Sequence, residues 1–228
     1  MTNDGRYKYE LHCHTKEVSA CGQVPAAELV RLYREKGYDG VVITDHYSGL
    51  TFPLLQKFQM RERVDNYLRG YRSARNAAAD DFTVLLGMEL RGYCSPIDFL
   101  VYGVSEQMLR ESGNLLFRYS RRFYKTAQKY GALVVAAHPF RMRPFKANPR
   151  FIDGAEIFNG KESPKGNQRA VQWAEQNGIT LRTAGSDFHR TSHKNFSGIL
   201  TETPIRTNEE LLRILRTNAF EPITSDTP

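Results

Sequence analysis

Short apolar segments alternate with longer amphipathic ones along most of this chain, and this alternation restricts its fold more than any other feature. The short segments are rich in valine, isoleucine and leucine, which is typical of buried strands. The longer segments repeat apolar residues at helical spacing. An order of strand, helix and strand is typical of a parallel sheet with helices on its faces.

The predicted strands span residues 7–14, 40–44, 83–89, 97–102, 132–138, 155–158 and 180–184. The predicted helices span residues 26–36, 54–79, 106–130 with a break near Gly113, 168–176 and 209–216. Seven strands joined by helices predict an α/β fold with a closed or nearly closed barrel, and an open doubly wound sheet is the alternative.

No internal repeat, linker or shift in composition divides the 228 residues, which predicts a single domain. Its core is expected at about residues 7–216, with a loosely ordered tail from residue 221 onward. Three scattered cysteines, no apolar targeting segment and no apolar run long enough for a bilayer predict a cytoplasmic protein without membrane contact.

The formal net charge of +7 raises the question of an anionic partner. The positive residues are spread along predicted helices, so solvated helix faces explain them, and a basic surface that concentrates anionic substrates is the functional interpretation. The sequence shows no strip of aromatic and basic residues of the kind that stacks single strands, so nucleic acid is the less favoured partner. The oligomeric state stays open.

Five of the six histidines stand at the ends of apolar strands or in the turns that follow. They are His12, His14, His46, His138 and His189. In a parallel barrel these strand ends meet at one rim, where the chemistry takes place. His12 and His14 are one residue apart and share a strand face, which suits a metal site, and a hydrogen-bonded polar pair is the alternative.

Carboxylates occupy similar positions. Asp45 precedes His46, where it can orient the imidazole, bind metal or cap the strand. Glu89 ends an apolar segment, and a carboxylate in such surroundings must be neutral, paired or metal-bound, with Arg91 as the alternative partner. Asp98 lies between two apolar residues and needs a partner, which a metal would supply; a role in a turn or at the start of the strand is the alternative.

The segment AGSDFHR repeats the one-residue spacing with Asp187 and His189. The first and last strands of a barrel are neighbours, so this pair is expected to meet His12 and His14. Four such side chains at one junction predict a metal centre.

Taken in order, the segments HCHT, TDH, GMEL, AHP and GSDFH resemble the motif series of the PHP (polymerase and histidinol phosphatase) superfamily. The resemblance runs over most of the chain, from His12 to His189. It implies a distorted (β/α)7 barrel with two or three divalent metal ions, commonly Zn, Mn or Fe, at the carboxyl rim of its strands. His12, His14 and Asp187 would hold one metal. Glu89 would bridge it to a second, which His138 holds.

Asp98 stands where many members have a histidine, and is the expected remaining ligand of the second metal. His46 and His189 would bind a third metal. Here the sequence departs from the family, because the loop reads TKEVSACG where members often carry Asp or His before a glycine. Glu17 is the expected substitute and Cys21 the alternative. A thiolate would favour zinc, whereas oxygen and nitrogen ligands also admit Mn or Fe.

The expected activity is hydrolysis of a small anionic phosphomonoester by a water that the metals activate. Asp45, which orients His46, and Asp187 are the expected catalytic carboxylates. Arg141 and His193 are the expected phosphate-binding residues, among several loop cations that include Arg143, Lys161, Lys165 and Arg190. A metal-dependent nuclease or nucleic-acid-processing module is the alternative, and a barrel without activity is opposed by the near-complete ligand set.

Overall fold

A computed structural model describes residues 5–52, 60–93, 95–117, 120–141 and 146–224. Its strands are β1 (Tyr7–Cys13), β2 (Gly40–Ile43), β3 (His46–Tyr47), β4 (Thr83–Leu90), β5 (Phe99–Tyr102), β6 (Leu133–Ala136), β7 (Gly154–Asn159), β8 (Leu181–Gly185), β9 (Gly198–Thr201) and β10 (Glu221–Ile223). Its α-helices are α1 (Ala26–Glu35), α2 (Met60–Ala77), α3 (Glu106–Glu111), α4 (Ser120–Lys129), α5 (Pro164–Gln176) and α6 (Asn208–Thr217).

The strands form a curved sheet in the order β10-β9-β1-β2-β4-β5-β6-β7-β8, with β3 paired to β4. The sheet curls until the end of β1 meets the segment after β8. Cys13 and Phe188 form a parallel bridge there, and the amide of His14 donates to the carbonyl of Phe188 over 3.0 Å. The prediction of an α/β fold with a nearly closed barrel is confirmed.

Strand β5 departs from a regular parallel barrel, since it runs antiparallel to both β4 and β6. Residues 91–98, which join β4 to β5, are too few for the crossover that parallel neighbours need. The prediction of a uniformly parallel sheet is therefore wrong at this strand.

Two C-terminal strands were not predicted. β9 pairs antiparallel with β1, and β10 pairs antiparallel with β9. Gly198 permits the first pairing, because a Cβ at this position would lie 2.0 Å from the carbonyl oxygen of Tyr9. The prediction of a loosely ordered tail is thus wrong for Glu221–Ile223, whose backbone pairs in the sheet. Residues 225–228 lie outside the described residues.

The helices follow the predicted order. The predicted helix at 106–130 is interrupted as expected, since α3 ends at Glu111 and α4 begins at Ser120. Gly113 lies in the break with a φ of +66°, a conformation that glycine adopts without steric cost. Of the predicted helix at 54–79, the structure describes α2, and residues 54–59 lie outside the described part.

One end of the barrel is closed by α6. Tyr9, Leu133 and Leu181, near the starts of parallel strands, form a buried apolar cluster with Leu211 and Ile214 of α6. Burial of apolar surface contributes roughly 25 cal/mol per Å², so this end supplies stability and the opposite, carboxyl rim remains available for ligands. No helix within the described residues has both the length and the apolar character to cross a membrane.

Candidate metal centre

Three groups of imidazoles and carboxylates meet at the carboxyl rim, and within each group the potential ligand atoms lie within 4.8 Å of one another. The first group is His12, His14 and Asp187, the second is His12, Glu89 and His138, and the third is His14, His46 and His189. His12 and His14 each belong to two groups. The three groups therefore form one linked cluster.

The rings of His12 and His14 are fully buried at the end of β1. Nδ1 of His12 lies 2.8 Å from Oε1 of Glu156, and Nδ1 of His14 lies 3.3 Å from Oγ of Ser19. Nε2 of each ring is buried and makes no hydrogen bond to any described residue. A metal ion fits these two atoms, because ligating histidines usually hold their other nitrogen on such a polar partner.

Glu89, near the end of β4, lies among four imidazoles. Its Oε2 is 2.7 Å from Nδ1 of His46 and 3.4 Å from Nε2 of His14, and its Oε1 is 2.9 Å from Nε2 of His138. The same Oε2 lies 3.6 Å from Nε2 of His12. A carboxylate in this position is suited to bridge two cations.

Asp98 lies next to the second group, with Oδ2 at 3.7 Å from Nε2 of His138. Both of its oxygens also accept hydrogen bonds from Arg91. The sequence offered Arg91 as the alternative partner of Glu89, and the structure pairs it with Asp98 instead. As a ligand, Asp98 would have to share its charge with this guanidinium.

Asp187 connects the first group with the cations of the rim. Its Oδ1 is 3.4 Å from Nε2 of His14 and 3.2 Å from Nδ1 of His189, and its Oδ2 is 2.7 Å from Nη2 of Arg141. Asp187 has a φ of +54° and His138 a φ of +26°. Backbone strain at non-glycine residues is concentrated at functional sites, and here it falls on two members of the cluster.

In part of the cluster, the electrostatic environment favours the protonation states that metal binding requires, namely unprotonated imidazole and ionised carboxylate. Burial lowers the pKa of His14 well below its usual range, and the nearby His46 and His189 add to the effect. Burial opposes ionisation of Glu89 and Asp187, but the surrounding imidazoles outweigh it and hold the pKa of both carboxyls well below their usual range. The cluster therefore offers a neutral imidazole and ionised carboxylates.

His12 behaves differently. Burial favours its neutral form, but Glu156, Asp187 and Glu89 outweigh burial and raise the pKa of His12 well above its usual range. Because a ligating imidazole must be unprotonated, metal binding at His12 has to displace a proton.

The structure does not bring Glu17 to the third group. Both of its carboxylate oxygens accept from the backbone amide of Ala26, at 3.0 and 3.1 Å, where α1 begins. The hydroxyl of Ser73 donates to the same carboxylate over 3.3 Å. An acidic side chain stabilises a helix at its N-terminus, so this carboxylate is engaged in holding α1.

Cys21 lies where Glu17 was expected. It lines the same cavity as His46 and His189. Burial alone would raise the pKa of the thiol, but the two imidazoles outweigh burial and lower this pKa to about 6. The amide of Gln23 donates to the carbonyl of His189 over 2.8 Å, which ties the Cys21 loop to the segment after β8.

Asp45 holds the loop after β1. Its oxygens accept from the amide and hydroxyl of Thr15 and from the hydroxyl of Ser19, each over 2.7 Å. Oγ of Ser19 accepts in turn from the amide of His46 over 3.0 Å. Asp45 therefore acts through Ser19 on the His14 ring and on the backbone amide of His46, the residue that it was predicted to orient. Burial raises the pKa of Asp45 to about 6.

Two buried glutamates were missed by the sequence analysis. Glu156 in β7 binds His12, and its Oε2 accepts from the amide of His138 over 2.8 Å. Glu10 in β1 accepts from the amides of His12 and Ser186, over 2.7 and 2.9 Å. Both glutamates lie within predicted strand segments, where a buried carboxylate needs a partner just as Glu89 does.

A cavity of about 440 Å³ opens onto the second and third groups. Arg141 and Lys161 line it together with His46, Glu89 and His189. Nζ of Lys161 lies 3.4 Å from Nδ1 of His189. The cavity thus combines potential metal ligands with two cations.

His193 is not among the described residues that line this cavity. Its Nε2 lies 3.0 Å from the carbonyl oxygen of Asn195, and its ring packs against Phe188 and Phe196. The structure therefore places Lys161, rather than His193, beside Arg141. Arg143 lies outside the described residues.

No protein-family model and no curated protein matches this chain by sequence. Solved structures match it by fold. A two-domain protein from Bacteroides vulgatus, described as containing a predicted PHP-like metal-dependent phosphoesterase, has a TM-score of 0.69 at 18% identity over 97% of this chain and 66% of its own. PsfC from Pseudomonas syringae has a TM-score of 0.61 at 17% identity over 91% of this chain and 88% of its own.

The lesion-specific endonuclease PfuEndoQ from Pyrococcus furiosus has a TM-score of 0.61 at 12% identity over 95% of this chain and 57% of its own. This chain spans less than two thirds of the length of the Bacteroides and Pyrococcus proteins. At these identities the similarity establishes the fold. The barrel fold that the resemblance implied is confirmed.

Proposed function

We propose that this chain, which has the PHP fold, is a metal-dependent phosphoesterase that hydrolyses a small phosphomonoester. The observation that carries the proposal is the linked cluster, in which three groups of potential ligands share His12 and His14. Two or three divalent ions would bind there. Zn, Mn and Fe are the expected ions, because imidazole suits Zn and Fe and carboxylates suit Mn.

When divalent ions are bound, they supply an acidified water and positive charge for the phosphoryl oxygens. The protein's own residues then have distinct roles. Glu156 keeps the His12 ring in place by holding its Nδ1 at 2.8 Å. Arg141 and Lys161 would bind phosphoryl oxygens, since both line the cavity beside Asp187. Asp45 is a positioning residue, because it contacts the loop rather than the cavity.

For the third group we propose Cys21 as the remaining ligand. Its position in the cavity beside His46 and His189 supports this assignment, and the engagement of Glu17 at α1 supports it independently. The orphaned Nε2 of His14 belongs to the same group. Three imidazoles and one thiolate would form a set of four donors that favours zinc.

Elemental analysis and a phosphate-release screen test the proposed function. Purified protein should contain more than one transition-metal ion per chain, and it should release phosphate from p-nitrophenyl phosphate or nucleoside monophosphates. A chelator should stop the reaction, and Zn or Mn should restore it. A folded protein that binds no metal, or one that binds metal but hydrolyses no phosphoester, would refute the proposal.

A nuclease is the second candidate. The net charge of +7 and the fold shared with PfuEndoQ favour it. A short oligonucleotide in the same screen separates the two functions. Internal cleavage, with binding that weakens steeply as salt increases, would indicate a nuclease, whereas release of terminal phosphate alone would indicate a phosphomonoesterase.

A further inference from the structure

A second cavity adjoins the one at the metal cluster. Its volume is about 250 Å³, and its wall includes Gly92, Tyr93 and Ser95, which also line the first cavity. The two are therefore neighbouring compartments with a common partition. The first is lined by potential ligands and cations, whereas the second is lined mainly by apolar side chains, among them Leu90, Phe99, Leu116, Phe117 and Phe123.

Tyr93 forms the partition and is held on several sides. Its amide donates to the carbonyl of Leu116 over 3.0 Å, and its hydroxyl donates to the carbonyl of Phe52. Its ring lies so close to Gly49 that a Cβ there would be 2.9 Å from two ring carbons. The ring is thus fixed before any ligand binds, and a fixed wall reduces the entropy lost on binding.

Phe117 extends the aromatic wall. Its ring centroid is 4.9 Å from that of Tyr93, with the two planes at 52°. Phe117 is 61% exposed, and Leu50, which lines the first cavity, is 82% exposed. Single exposed apolar residues are ordinary on protein surfaces. Here, however, the two large apolar side chains that are exposed among the described residues border the same pair of compartments.

We infer that the leaving group of the substrate carries a planar aromatic ring, which binds in the second cavity against Tyr93 and Phe117 while the phosphoryl group lies in the first. This inference rests on the proposed function and names the substrate class of the same site. The small volume suits one ring system, since pockets for larger ligands span roughly 300–1,000 Å³. The ring is an aryl group or the base of a mononucleotide, because stacking depends on a flat face.

Phosphonates test the inference without depending on hydrolysis. The metal-loaded full chain is titrated by calorimetry with phenylphosphonate and with methylphosphonate. Phenylphosphonate should bind roughly tenfold more tightly, which is the lower range of the stacking effect on an aromatic side chain. Phe117→Ala should remove most of this difference and leave methylphosphonate binding unchanged, and Phe117→Trp should retain it.

Phe151→Ala is the matched control, because it removes a half-buried ring that lines neither cavity. It should leave both affinities unchanged. The affinities of thymidine 5′-monophosphate and phenyl phosphate are then compared with metal bound and hydrolysis blocked, which shows whether a base or an aryl group is preferred. Tighter binding of either compound than of methylphosphonate supports the inference.

Equal affinities for the two phosphonates would overturn the inference, as would an equal loss of both in Phe117→Ala. If the aromatic preference is present but no phosphomonoester is hydrolysed, the proposed function fails and the inference stands. If neither phosphonate binds, the phosphoryl half of the site is refuted, and the inference fails with it.

Discussion

The candidate site has two sides that are built in different ways. On the strand side, His12 and His14 extend from the end of β1, are fully buried, and hold their Nδ1 atoms on other buried groups. On the loop side, Leu50 and Phe117 belong to short connecting segments and are largely exposed. Strand register fixes the first side, so its geometry depends on the whole barrel. The loop side can vary without disturbing the barrel, which is how one rim serves different substrates.

The largest effect is expected on the strand side. Replacing both His12 and His14 with Ala removes ligands from all three groups. Phosphate release should fall by more than about 100-fold, since even outer partners of ligands contribute about 10–100-fold. Metal content should fall by at least one ion per chain. His193→Ala is the matched control, because this histidine lies outside the groups and the cavity lining. Retained hydrolysis in the double variant would show that the buried histidines of the strand side are not needed for the reaction.

A smaller effect should follow when a supporting residue is changed. Glu156→Gln keeps the size of the side chain but weakens its bond to Nδ1 of His12. Metal affinity or activity should fall by about 10–100-fold, as is usual for outer partners of ligating histidines. The control is Glu175→Gln, on the exposed face of α5. Metal affinity equal to that of the unaltered protein would show that Glu156 does not orient this ring.

The third group provides a spectroscopic test at the border of the two sides. With Co²⁺ in place of the native ions, thiolate ligation by Cys21 should give a near-ultraviolet charge-transfer band. Cys21→Ser should abolish this band and reduce bound metal by one ion, while the other two groups stay loaded. The proposal for Cys21 is refuted if the unaltered protein lacks the band.

The smallest effect is expected at Glu17. Glu17→Ala should leave metal content and hydrolysis unchanged, because the carboxylate is engaged at the start of α1. The free energy of unfolding should fall by about 1 kcal/mol, the typical contribution of a polar partner at a helix N-terminus. Urea unfolding measures the change, and Glu17→Gln should lose less. If Glu17→Ala instead lost one metal ion per chain, Glu17 would be a metal ligand after all.

The grouping of side chains on the strand side could be predicted because strand alternation and barrel closure act together there. Strand alternation puts His12 and His14 on one face, and barrel closure brings Asp187 and His189 to them. Glu156 was also predictable, since a carboxylate in an apolar strand needs a buried partner.

The rest depended on contacts between distant segments. Whether Glu17 or Cys21 faces His189 is decided by the hydrogen bond from Gln23 to the segment after β8, which no local pattern reveals. Strand β5 runs antiparallel because the connection from β4 is short. The length of this connection was visible in the sequence, but the direction of β5 was not. Likewise, Lys161 and His193 both follow strand ends, and only their loop conformations separate them.

The sharing of His12 and His14 has a consequence for how the protein would acquire the proposed ions. His12 belongs to two groups and would have to lose its proton when the first of them takes up an ion, so filling one group would change the free energy of filling the other. Loading would therefore be a linked equilibrium rather than a set of independent steps. Activity should respond to the supply of divalent ions along a curve that a single binding constant does not describe.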